Sequence, residues 1–186
     1  AAQEGHKDTV SLLASLGADV NQAMNDGFTP VYVAAQNGHK DTVSLLASLG
    51  ADVNQANKNG CTPMYAAAKM GHTDIVGLLE SFGADVNQGN NDGFAPVFVA
   101  AFHGHTNTVD LLVSLGADVN QARKDNGATP VWIAAYNGHT ETVSLLSSLG
   151  ADVNRADEDG ATPLWVAVRN DRTDTVALLK SLGAYE

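Results

Sequence analysis

The string Gly-Ala-Asp-Val-Asn occurs five times in this chain, beginning at Gly17, Gly50, Gly83, Gly116 and Gly150, with a degenerate sixth copy at Gly183. The first five are spaced by 33, 33, 33 and 34 residues. A fixed period of this length specifies one small unit stacked in a row, each copy leaning on its neighbours, rather than a single wound domain. It also sorts residues by role. Positions that recur hold the stack together, and positions that vary between copies are free to recognise something.

One complete unit runs from Met24 to Ala56. Thr29-Pro30 predicts a helix start, because a threonine hydroxyl caps free backbone amides and proline suits the first helical turn. Val31 to Asn37 then make about two turns, and Gly38 supplies the left-handed residue that stops a helix. His39 opens a second helical pattern in which Val43, Leu45, Leu46 and Leu49 have the spacing of a buried stripe. Gly50 ends it, and a connector follows with Asn57-Lys58-Asn59-Gly60 as its turn. Ala34-Ala35 recurs as Ala67-Ala68, Ala100-Ala101 and Ala134-Ala135. Paired small residues let helices approach closely, and a larger side chain there costs roughly 1–3 kcal/mol by overpacking. Neither helix is long enough to persist alone in water, so the stack must hold both.

The pattern TPxxxAAxxGHxxxVxxLLxxxGADVN resembles the ankyrin repeat, over essentially the whole chain. The resemblance implies an all-α repeat fold, a solenoid of stacked helix-turn-helix units with projecting hairpin-like loops and a concave face made of loop tips and first helices. The units are expected as a partial copy over 1–23, then 24–56, 57–89, 90–122, 123–156 and a C-terminal 157–186, forming one array. The family's usual histidine two residues after the proline is replaced by Tyr32, Tyr65, Phe98, Trp132 and Trp165. An aromatic in every copy points to a stacked, buried aromatic column. Ala95 stands where the other units have the capping threonine, at a local cost of about 0.5–2 kcal/mol. The fifth unit carries one extra residue within Arg123-Lys124-Asp125-Asn126, in a loop that tolerates insertion. In the last unit Gly-His becomes Asp171-Arg172 and the second alanine becomes Val168, the atypical sequence expected of a terminal repeat. The chain opens in mid-repeat and reads as a piece of a longer protein. Gly5 to Ala23 is identical to Gly38 to Ala56, which fits recent duplication or an engineered array; the scattered Phe82, Gly89 and Asn107 favour a natural origin.

Composition narrows the function. No apolar run approaches the roughly 18 residues a membrane span needs, so membrane insertion is not expected. The lone cysteine, Cys61, cannot form an internal disulfide, which points to an intracellular, cytoplasmic setting. A net charge of −11 opposes nucleic-acid binding through phosphates. Much of that charge recurs with the repeat, at Asp19, Asp52, Asp85, Asp118 and Asp152, and reads first as a solvated acidic surface, with a preference for a basic partner as the alternative.

Catalytic chemistry finds no support. The resemblance implies structural hydrogen bonds for the Gly-His histidines His6, His39, His72, His105 and His139. His103 lies outside their register, but His103-Gly104-His105 has no further ligand near it in sequence, so no metal site is expected. The serines of the second helices, such as Ser11 and Ser44, recur as exposed polar positions without a base. Cys61, beside a loop tip, reads as a partner contact rather than a nucleophile. No catalytic residue and no cofactor is expected.

The variable positions carry the functional reading. After the loop glycine stand Phe28, Cys61, Phe94, Ala128 and Ala161; at the end of the first helix stand Gln36-Asn37, Lys69-Met70, Phe102-His103, Tyr136-Asn137 and Arg169-Asn170. In an ankyrin-like array both sets are implied to line the concave face. The expected partner-binding residues are Phe28, Gln36, Asn37, Cys61, Lys69, Met70, Phe94, Phe102, His103, Tyr136 and Asn137, with Lys58, Asp92 and Lys124 at the loop tips tuning specificity. Asn21, Asn54, Asn87, Asn120 and Asn154 sit in an LxxxxxDVN context resembling that favoured by the asparaginyl hydroxylase that modifies ankyrin domains, and are candidate modification sites. The expected function is a non-catalytic, monomeric protein-interaction module; the rivals are a structural spacer in a larger protein and an engineered binder.

Overall fold

The computed structural model describes residues 1–185. Among them a 3-10 turn, Ala2–Glu4, precedes eleven α-helices: α1 (Lys7–Ser15), α2 (Pro30–Gln36), α3 (Lys40–Ser48), α4 (Pro63–Met70), α5 (Thr73–Ser81), α6 (Pro96–Phe102), α7 (Thr106–Ser114), α8 (Pro130–Asn137), α9 (Thr140–Ser148), α10 (Pro163–Arg169) and α11 (Thr173–Ser181). No strand occurs among the described residues. Each even-numbered helix pairs with the odd-numbered helix that follows it. The first helices α2, α4, α6, α8 and α10 then stack in one layer and the second helices α1 to α11 in another, each against its sequence neighbour. This is the expected solenoid.

The starts of the first helices follow from their Thr-Pro. The hydroxyls of Thr29, Thr62, Thr129 and Thr162 accept the amides of Tyr32, Tyr65, Trp132 and Trp165 at 3.1–3.3 Å. Ala95 offers no such bond, so α6 begins uncapped.

The core is a row of equivalent side chains. Val31, Met64, Val97, Val131 and Leu164 line the first layer, and Leu46, Leu79, Leu112, Leu146 and Leu179 the second, all buried. Full burial of one such side chain contributes roughly 1.5–3 kcal/mol. The paired alanines are fully buried between neighbouring first helices. What neighbours contribute is visible in α1 and α3, which share one sequence: Leu46 is 1% exposed and its counterpart Leu13 is 46% exposed. Leu46 differs because α3 is flanked by α1 and α5 and covered by α2.

Polar side chains join one unit to the next. His39, His72, His105 and His139 each reach back from Nε2 to a carbonyl oxygen of the preceding unit, those of Gln3, Gln36, Lys69 and Phe102, at 2.8–3.2 Å. Their rings lie against the preceding Gly5, Gly38, Gly71 and Gly104, whose φ values of 69–79° and lack of a Cβ leave room for the imidazole. In the last unit Arg172 makes the same reach, so its departure from Gly-His is a replacement in kind. Forward joints come from the recurring asparagines. The carboxamides of Asn21, Asn54, Asn87 and Asn120 each donate to a glycine carbonyl of the following unit and accept the amide of Asp52, Asp85, Asp118 and Asp152. Asn154 does the same with Gly183 and Tyr185. Three hydroxyl pairs, Thr73–Thr108, Thr106–Thr142 and Thr140–Thr175, bridge the second helices at 2.7–2.8 Å.

Candidate functional site

The connectors fold back on themselves as fingers. Asn57 donates its amide to Cys61 O, Asn90 to Phe94 O and Asp157 to Ala161 O at 3.0–3.1 Å, while the side-chain Oδ1 of each accepts amides two and four residues on. Fingers are also zipped to one another, through Lys58 N to Asp26 O, Asn91 N to Asn59 O and Glu158 N to Asn126 O. No equivalent bond joins the fourth and fifth fingers among the described residues. That gap coincides with the inserted residue near Asp125.

The insertion changes the side chains too. Arg123, at the position of Asn57 and Asn90, lays its guanidinium 4.1 Å from the centre of the Phe94 ring and pairs with Asp125. Its buried Nε has no hydrogen-bond partner among the described residues, and the aromatic face is what it meets instead.

The variable residues after the loop glycine are less exposed than their sequence position implies. Cys61, expected as a loop-tip contact, is only 8% exposed, closed over by Tyr32 and Ala66. Burial pushes its thiol up, against smaller opposing pulls from Asn90 and Lys69, so it is a poor nucleophile. Phe28 is half-buried against Tyr32 at 4.9 Å, and Phe94 is half-buried against Phe98 at 5.3 Å and covered by Arg123. These aromatic contacts run within a unit, between a finger and its own first helix, not as the continuous column expected. Nor are the five helix aromatics uniformly buried. Tyr32 and Phe98 are buried, Tyr65 and Trp132 half-buried, and Trp165 is 43% exposed. The hydroxyls of Tyr32 and Tyr65 are pushed up to about 12, chiefly by burial.

The ends of the first helices are the open part of this face. Met70, Phe102 and Tyr136 are 48%, 40% and 39% exposed. Lys69, His103 and Asn37 stand beside them in the open, and Gln36 is half-buried. Lys58, Asp92 and Lys124 are exposed at the fingers. Asn137 is held by its own fold, its Nδ2 donating to Phe102 O and Ile133 O. The His103 ring packs on Phe102 at 4.9 Å and on His105 at 5.8 Å. Partial burial, then His105, Lys69 and His139, hold its pKa below 6.5. No cluster of three or more metal-ligating side chains occurs among the described residues, and no helix there is long and apolar enough to cross a membrane.

Four residues of this face are not among the binding residues expected from the sequence: Arg123, Asp157, Asp159 and Trp165. The signal was present in Ala128 and Ala161, where small residues replace Phe94 and its equivalents and leave the next aromatic uncovered.

Comparison with the curated proteins finds no match. The family model for ankyrin repeats (three copies) matches residues 1–57, 49–123 and 120–185. Ankyrin repeats are in general protein-interaction modules rather than enzymes. The period, the capped first helices, the histidine bridges and the stacked helix pairs agree with that match, and the chain belongs to the ankyrin-repeat family.

Proposed function

We propose that the array is a non-catalytic, monomeric, intracellular interaction module that binds a protein partner through its concave face. The observation that carries this reading is the run of Met70, Phe102, Tyr136 and Trp165. These are large apolar side chains on successive first helices, each more than a third exposed. Repeats that served only as a spacer have no need of them, and aromatics of this kind are favoured anchors at interfaces. Lys58, Lys69, Asp92 and Lys124 surround the run and tune partner choice, since charges at a rim act mainly on specificity and association rate.

The test is a paired substitution, Phe102→Ala with Tyr136→Ala. Because both side chains are substantially exposed, unfolding should move by no more than about 0.5 kcal/mol, while affinity for a captured partner falls at least tenfold. Parallel loss of stability and binding would place both residues in the core and end this assignment.

A further inference from the structure

Between the fifth and sixth units the face opens into a cavity of about 480 Å³ walled by Trp132, Tyr136 and Trp165 and edged by Asp157, Asp159 and Arg169. The Trp132 and Tyr136 rings are stacked, 5.6 Å apart and 9° from parallel. Trp132 is fixed by its Nε1–H, which donates to Ala161 O at 2.9 Å. Asp157 is tied to the same residue, since its Oδ1 accepts the Ala161 amide at 2.8 Å. The second carboxylate oxygen of Asp157, and both of Asp159, take no hydrogen bond among the described residues. An aromatic wall and three carboxylate oxygens without partners therefore belong to residues that line one opening.

The previous junction shows what this space holds when it is filled. There Arg123 occupies the position of Asp157, and Phe94 that of Ala128. The Arg123 guanidinium lies 4.1 Å from the Phe94 ring and 5.9 Å from Phe98, the counterpart of Trp132, with Asp125 as its counter-ion. One unit on, both changes work together. Phe94 becomes alanine and uncovers the indole, and Arg123 becomes aspartate and reverses the charge.

We infer that this cavity receives the guanidinium of an arginine side chain presented by the partner, stacked on Trp132 and paired with Asp157 and Asp159. This rests on the reading of the face as protein-binding and names the chemistry recognised there. A planar cation suits an indole face and a carboxylate fork better than a compact ammonium does. Arg169 already lies 5.1 Å from the Trp165 ring, which directs the incoming group to the Trp132 side, beside Asp157. The net charge of −11 draws basic segments to the molecule as a whole.

Both tryptophans of the chain line the cavity, so intrinsic fluorescence reports on it directly. The probes are the peptides acetyl-Gly-Ser-Arg-Ser-Gly-amide and its lysine and citrulline counterparts. The arginine peptide should give a saturable change, with the citrulline peptide at least tenfold weaker and the lysine peptide weaker than arginine. The variant Asp157→Asn with Asp159→Asn reproduces Asn57 and Asn59 of the third unit, where Asn57 makes the same finger bonds, so the fold should be kept. It should weaken the arginine peptide at least tenfold with thermal unfolding unchanged. Equal binding of the three peptides, undiminished binding by the double variant, or no saturable change at millimolar peptide would each overturn the site. A captured partner that is lost with Phe102→Ala and Tyr136→Ala yet retained by the double asparagine variant overturns the arginine site alone and leaves the interaction module standing.

Discussion

Arg172 donates from Nε to the carbonyl oxygen of Tyr136 at 3.0 Å, in the register where His139 contacts Phe102 O at 3.0 Å. Two unlike side chains thus make one joint, and the last unit keeps the bond while losing the motif. Arg172→His should therefore leave stability nearly unchanged. Arg172→Ala should lower it by about 1 kcal/mol, the net value of one hydrogen bond, as read from urea unfolding.

The uncapped start of α6 is a correctable defect. Ala95 is fully buried, but so are Thr29 and Thr129 at the same place, so a threonine fits the register. Ala95→Thr should raise unfolding free energy by about 1 kcal/mol through a new cap on the Phe98 amide. An unchanged midpoint would show that the Phe94 and Phe98 rings leave no room for it.

Gly38 and Gly50 have similar backbone angles, φ 79° and 89°, and different surroundings. A Cβ on Gly38 meets the His72 ring at 2.9 Å, whereas one on Gly50 meets nothing within 4 Å. Alanine at either position takes the left-handed penalty of about 1–2 kcal/mol. Gly38→Ala should cost about 1 kcal/mol more, because moving His72 aside breaks its bond to Gln36 O. Chemical denaturation of the two variants side by side measures the difference.

His103 gives the array a mild acid sensitivity. Its folded-state pKa lies below 6.5, so the folded form binds this proton less readily than the unfolded form. The associated stability is present above pH 6.5 and declines as pH falls below that value, levelling once the folded-state pKa has been passed. Replacement by glutamine should flatten that part of the profile in thermal unfolding between pH 7.5 and pH 5, a window set by the histidine range.

The recurring asparagines remain our proposed hydroxylation sites, and the joints they make predict an order among them. Each carboxamide is tied to the next unit, so modification requires local opening. Asn154 has the longest donor bond, 3.5 Å to Gly183 O, against 2.9–3.3 Å for the other four. On incubation with the asparaginyl hydroxylase, additions of about 16 Da (one oxygen, a covalent change of side-chain chemistry) should reach Asn154 first. Peptide mass mapping that finds no addition would remove the proposal.

Features closed within a few residues were legible in the sequence. Thr29 caps an amide three positions away, and the Thr-Pro signal placed that helix start at the residue where it occurs. Cys61 was not legible, because its burial depends on Tyr32 in the unit before as well as on Ala66 in its own. Arg123 was hidden for the same reason: its aromatic partner lies 29 positions earlier, and only the stacking brings them together. Met70, Phe102 and Tyr136 were legible as irregular positions on a regular scaffold, and all three are open to solvent. Trp165 was misread as core, since conformity to the aromatic register says nothing of whether a later finger covers it.

The recurring joints between units have a fixed sense: the Asp-Val-Asn carboxamide reaches forward, and the imidazole, or the Arg172 guanidinium, reaches back. Each unit thus carries half of a connector at either boundary, and the halves match whatever unit comes next. A genetic event that copies 33 codons creates working joints wherever in the repeat it starts, as the identity of Gly5–Ala23 with Gly38–Ala56 illustrates. The array can therefore gain or lose reach in whole units without any redesign of its interior. A single added codon has no such freedom: at Asp125 it is tolerated in a finger, where it opens one rung and releases one arginine to new work.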